Sequence, residues 1–107
     1  EPQMAFMETE KSSTLGITVQ DLNNSLRKHY NLSPDDDGVV VTEMDKNSEA
    51  YRSGIREGDI IIRVGTNNVR DSNDFKDLIR TSSRQNTVLL LVKREDVSRF
   101  YALEIDN

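Results

Sequence analysis

Ser53-Gly54-Ile55-Arg56-Glu57-Gly58-Asp59-Ile60-Ile61 is the stretch from which the rest of the chain can be read. It joins three local signals. Asn47-Ser48 can cap a short helical turn through Glu49, Ala50, Tyr51 and Arg52, because a side-chain oxygen there accepts an orphan amide of the first turn. Gly54 follows where a helix end commonly places a left-handed residue. Gly58-Asp59 then makes a turn into Ile60-Ile61-Ile62-Arg63-Val64, a β-branched run that reads as a buried strand.

Downstream, Gly65-Thr66 offers glycine first, as a type II′ turn requires, before a short strand at Asn68 and Val69. Asp71-Ser72 starts a second helix, with Asp74 and Asp77 in its first turns and Arg80 near its end. Phe75, Leu78, Ile79 and Ser82 share one face of it, and Phe75 and Ile79 are predicted to be core. Val88 to Val92 is the most apolar strand, and Arg99 to Ile105 alternates as the last one.

Upstream, Val39-Val40-Val41 predicts a buried strand running to about Glu43. Before it, Pro34 and the Asp35-Asp36-Asp37-Gly38 loop stop a helix over Asp21 to Tyr30. Leu22, Leu26 and Tyr30 lie on one face of that helix, which is expected to cap the core, and Asp21 suits its positive end. Leu15, Ile17 and Val19 alternate, predicting a strand with these three side chains on one face. Gly16 allows close backbone approach, so the N–H groups of Leu15, Gly16 and Ile17 can converge on a carboxylate. Residues 1–13 read as an interdomain linker or expression remnant, in which Met4 to Met7 can add a short edge strand. Residues 14–107 form one domain.

The chain has 107 residues, enough for one domain with a modest core. Its 14 basic and 19 acidic residues give a net charge of −5, which argues against nucleic acid, where a basic stripe supplies most of the affinity. There is no cysteine, so disulfides and thiolate zinc sites are excluded. No apolar run approaches the roughly 18 residues of a membrane span, and the first fifteen residues lack the basic and apolar parts of a signal peptide.

Catalytic chemistry finds little footing. A Ser-His-Asp arrangement needs a histidine, and the only one, His29, falls on the first helix as a surface or boundary residue. No Gly-x-Ser-x-Gly elbow surrounds any serine. Asp35-Asp36-Asp37 lacks the alternating ligands and distant glutamate of a calcium loop, so it reads as a solvated acidic loop. No metal or cofactor is expected.

The stretch from Ser53 to Ile61 resembles the PDZ domains of bacterial trypsin-like Do/HtrA proteases. Their signature runs Ala-Gly-Ile/Leu, two variable residues, then Gly-Asp-x-Ile, and Gly54, Ile55, Gly58, Asp59 and Ile61 match it in place. Leu15-Gly16-Ile17 is similar to that family's carboxylate-binding segment, and Asp21 to Tyr30 to its leucine-bearing helix. Glu49, Ser53 and Gly65-Thr66 depart from the family's usual proline, alanine and Asn-Gly. The resemblance spans roughly Thr14 to Ile105.

It implies an α+β, PDZ-like fold of the circularly permuted bacterial type, a small partly open β-barrel or sandwich of five to six strands capped by two helices. It further implies β-augmentation, in which a partner's C-terminus adds as a strand. The peptide carboxylate would sit on Leu15, Gly16 and Ile17. Thr14, Thr18, Val19, Asp74, Leu78 and Thr81 would line the groove, with an apolar pocket for the last side chain. Asp74 would favour a basic or hydroxyl side chain two residues before the peptide's end. The expected partners are peptide or protein C-termini, unfolded polypeptide and an attached serine protease domain that the module regulates or supplies. The whole protein would be a homo-oligomer of the bacterial periplasm or envelope, without direct membrane insertion of this domain. The alternative is an assembly module of another envelope protein, an intramembrane metalloprotease or secretion component, with the groove unused or filled by a neighbouring segment such as Met4 to Met7.

Overall fold

Gly54 ends its helix in the left-handed region, φ 116°, and from that point the chain turns back into the sheet. The structure, a computed structural model, describes residues 13–82 and 87–104. Its strands are β1 (Ser13–Thr14), β2 (Ile17–Asp21), β3 (Val39–Met44), β4 (Ile60–Val64), β5 (Asn67–Asn68), β6 (Thr87–Arg94) and β7 (Val97–Glu104). Its helices are α1 (Asn24–His29), α2 (Glu49–Ser53) and α3 (Ser72–Ser82). One antiparallel sheet runs in the order β1-β2-β3-β4-β6-β7, with β5 on β4, and is left open between its ends. The partly open, helix-capped α+β plan is thus present, with the short helical turn expected after Asn47-Ser48 as its third helix. Met4 to Met7 and Ile105 lie outside the described residues.

The core forms where the sheet curls around α3. Ile17, Val41, Ile61, Phe75, Leu90 and Leu103 are all buried there. Phe75 and Ile79 enter it from α3 as their i, i+4 spacing predicts. β6 alternates buried Val88, Leu90 and Val92 with more exposed neighbours, the period of a half-buried strand.

The turn from α2 into β4 is held by its own side chains. The Arg56 guanidinium stacks 3.8 Å from the centroid of the Tyr51 ring. Gly58 donates its N–H to the Val41 carbonyl at 2.8 Å. The Asp59 carboxylate, 2% exposed, accepts the Arg56 N–H at 2.9 Å and a two-point bond from Arg94, Nε to Oδ1 at 2.8 Å and Nη2 to Oδ2 at 2.6 Å. Such a fork-to-fork pair is both directional and charge-assisted, and it holds the Arg94 guanidinium above its ordinary pKa. The Gly-Asp step therefore pins the start of β4 to the end of β6.

Several sequence expectations are corrected. α1 begins at Asn24, because Asn23 rather than Asp21 caps it, accepting the Leu26 N–H at 2.8 Å. Asp21 instead ends β2. No residue of α1 is buried, so it lies on the rim and does not cap the core. The acidic loop is not wholly solvated either. Asp36 is 7% exposed, accepts the Ser33 N–H at 3.0 Å, and pairs with the Lys93 ammonium of β6. That hydrogen bond raises the Lys93 pKa.

Tyr30, the residue after α1, covers Gly58 and donates its hydroxyl to Glu57 at 2.8 Å. Burial, and then the bond to Glu57, push its phenol up to about 12. An unfolded tyrosine ionises near 10, so this contribution to stability is complete below pH 10 and is lost as pH rises from 10 to 12. Titration of tyrosinate absorbance should show a component near pH 12 that vanishes in Tyr30→Phe and moves down in Glu57→Gln. A titration unchanged by either substitution would refute the assignment.

Candidate functional site

The site begins at the turn ahead of β2. Leu15 and Gly16 both have positive φ, 62° and 81°. The sequence reading placed Leu15 in the strand with Ile17 and Val19. It belongs instead to the turn, half-buried against the core, and the strand starts at Ile17. For a leucine this conformation costs on the order of 1–3 kcal/mol and persists only where its surroundings impose it.

Those surroundings are the corner between β3 and α2. The Asp45 N–H donates to the Gly16 carbonyl at 2.8 Å. The Ser48 hydroxyl donates to the Asp45 carbonyl at 2.6 Å and accepts the Tyr51 N–H at 3.1 Å, capping α2. A Cβ on Gly16 would lie 2.2 Å from the Ser48 Cβ. Glycine is thus required here by contact with the protein itself as well as by φ. Leu15, Gly16 and Ile17, the residues named from sequence for a carboxylate, thus form this turn and the first position of β2.

α3 supplies the facing wall and packs on β2. Asp21 at the end of β2 accepts the Ser72 N–H at 2.7 Å, which ties that strand end to the start of the helix. Eleven helical residues and five strand residues each span about 16 Å. Asp71 accepts the Asp74 N–H at 2.8 Å and caps the helix.

The groove residues named from sequence fall unevenly on this geometry. Ile17, Thr18 and Val19 are all buried, with a bulge between Thr18 and Val19 interrupting simple alternation. Leu78 is half-buried against the core. Thr81 is exposed in the last turn, its hydroxyl donating to the Asp77 carbonyl at 3.0 Å. Asp74 is already engaged: its Oδ2 accepts the Arg70 N–H at 3.1 Å and lies 3.6 Å from the Arg70 guanidinium. Of Thr14 only the backbone is described, paired with Ile17. Sequence reasoning missed Asp45, Ser48 and Asp21 as supports of the site. Ser48 and Asp45 carried only local cap and turn signals, and the Asp21 contact spans 51 residues.

A cleft of about 790 Å³ lies elsewhere, between Tyr30, Ser33, Glu57, Asp59 and Arg94. Within its lining Tyr30 pairs with Glu57 and Asp59 with Arg94, and Asp36 pairs with Lys93 of β6.

The family model described as "PDZ domain" matches residues 13–105. The chain is a PDZ domain. Its curated relatives include proteins named probable periplasmic serine endoprotease DegP-like, one from Bartonella henselae, 40% identical over 78 residues, and one from Chlamydia pneumoniae, 32% identical over 90. These matches cover 69% and 84% of this PDZ domain but 16% and 18% of the relatives, so the chain spans less than a fifth of their length. Among solved structures, the HtrA3 PDZ domain bound to a phage-derived ligand (FGRWV) matches with TM-score 0.70 and 27% identity, over 87% of this chain and 84% of that one. The HtrA-type protease AlgW with a decapeptide matches with TM-score 0.67 and 21% identity, over 85% of this PDZ domain and 28% of that chain.

Proposed function

We propose that this PDZ domain takes the free C-terminus of a polypeptide as an added strand along β2, facing α3. In the whole protein it would regulate, or deliver substrate to, an attached serine endopeptidase of the bacterial periplasm. The observation that supports the reading is the Leu15–Gly16 turn, whose two consecutive positive φ values lead into β2, a backbone conformation suited to anion binding. The HtrA3 domain's ligand ends in valine, in keeping with an apolar terminal pocket here. The DegP-like, periplasmic naming of the relatives supports the setting.

Backbone pairing is blind to sequence, so the pocket beside Leu78 supplies the selectivity. Burying one apolar terminal side chain contributes roughly 1.5–3 kcal/mol. With the carboxylate and strand bonds added and ordering costs subtracted, the expected affinity is micromolar, about −8 kcal/mol.

A free carboxylate forms charge-assisted bonds that an amide cannot, a difference of about 1.5–3 kcal/mol, or at least tenfold. In a titration of the ¹⁵N-labelled domain, a valine-ended peptide should shift Leu15 to Val19 and Leu78 at least tenfold more tightly than its amidated form. Equal binding of the two would replace end recognition with capture of internal segments. No shift from either would overturn the groove.

A further inference from the structure

β1 is two residues long, yet it lies where an added peptide strand has to begin. It pairs antiparallel with the outer edge of β2 in the register Ser13↔Thr18 and Thr14↔Ile17. Leu15 and Gly16 alone separate the paired strands, and positive φ at both is the geometry of a type I′ hairpin turn. In a two-residue hairpin the residues flanking the turn exchange both backbone bonds. The Thr14 carbonyl therefore accepts from the Ile17 N–H, and the Ile17 carbonyl accepts from the Thr14 N–H.

Those two Ile17 groups are the ones that the last residue of a C-terminal peptide would need. One N–H cannot serve both. We infer that the Ser13–Thr14 strand is a built-in competitor for the groove, which a C-terminal peptide displaces from Ile17 as its carboxylate settles on the turn. The inference rests on the C-terminal-peptide reading above. The hairpin is also poised to open. A type I′ turn favours Asn-Gly, and Leu15 holds its left-handed conformation at a cost.

The register supplies the test. In the backbone register Ser13 and Thr18 form the non-hydrogen-bonded pair, the pair type at which a cross-strand disulfide can close. The chain has no cysteine, so Ser13→Cys with Thr18→Cys in the full chain allows one staple only. The probe is a ten-residue peptide with a free C-terminal valine, titrated against the oxidised and the reduced protein. Locking the competitor in place reduces the binding-competent fraction, so the oxidised form should bind at least about tenfold more weakly, with full recovery on reduction. Equal affinity in the two states overturns the competition and leaves the groove reading standing. Absence of binding in both states, with folding retained, overturns the groove reading and the competition with it. As a second variant, Thr14→Pro removes the N–H that holds β1 to the Ile17 carbonyl. It should tighten binding about threefold or more in the same arithmetic, and unchanged or weaker binding counts against the competitor.

Discussion

Arg94→Ala is expected to lower the unfolding free energy by about 3 kcal/mol, at the lower end of the 3–5 kcal/mol seen when one partner of a buried pair is removed. The reason is what stays behind. Asp59 is 2% exposed and keeps only the Arg56 N–H, while both bonds from the Arg94 guanidinium are lost. Arg94 also donates to the Gly54 carbonyl at 2.7 Å, so the C-cap of α2 loses a partner too. The Arg94 side chain is 48% exposed, and solvent on that side screens the pair, which sets the lower end of the range. Asp59→Ala should cost less than Arg94→Ala, because the half-exposed guanidinium can turn to water whereas the buried carboxylate cannot. Urea unfolding of both variants measures the difference. A loss below about 1 kcal/mol for Arg94→Ala would class the bridge with ordinary surface pairs.

The ranking of these two substitutions could not be read from the sequence, and the reason is general to this chain. Features set by neighbours within a few residues were legible. Ser48 and Gly54 bracket α2 as cap and left-handed stop, Phe75 and Ile79 enter the core, and Gly65-Thr66 links β4 to β5 with positive φ only at the glycine. Features set by register across the sheet were not. Asp36 sits in an acidic triplet that looks solvated, yet β6 brings Lys93 onto it across 57 residues. Asp21 looks like a helix start, yet β2 carries it to the first turn of α3. Leu15 fits an alternating strand, and only the tertiary clamp on Gly16 turns it out of that strand. The entry into β2 at Gly16 was legible from its local pattern, while the strain at Leu15 and the supports of that turn come from residues far along the chain.

Gly16→Ala is expected to destabilise the domain by about 3 kcal/mol and to weaken binding of a valine-ended peptide more than tenfold. Three costs combine. An L side chain in the left-handed region costs roughly 1–2 kcal/mol. The added methyl, 2.2 Å from the Ser48 Cβ, forces the turn and the start of α2 apart. That separation strains the Asp45 N–H bond to Gly16 and the Ser48 cap, each worth about 1 kcal/mol. The φ cost and the clash are separable. Ser48→Gly removes the atom in collision, and glycine replaces a serine cap for only a few tenths of a kcal/mol. The double variant Gly16→Ala, Ser48→Gly should therefore recover about 1–2 kcal/mol of the loss, a coupling that a double-mutant cycle reads directly. If the two substitutions simply add, the contact with Ser48 is not what demands glycine, and φ alone accounts for it. If stability recovers in the double variant while peptide affinity does not, the turn's amides have to be held at positive φ for the carboxylate to bind. That outcome would tie the left-handed Leu15–Gly16 turn to recognition rather than to folding.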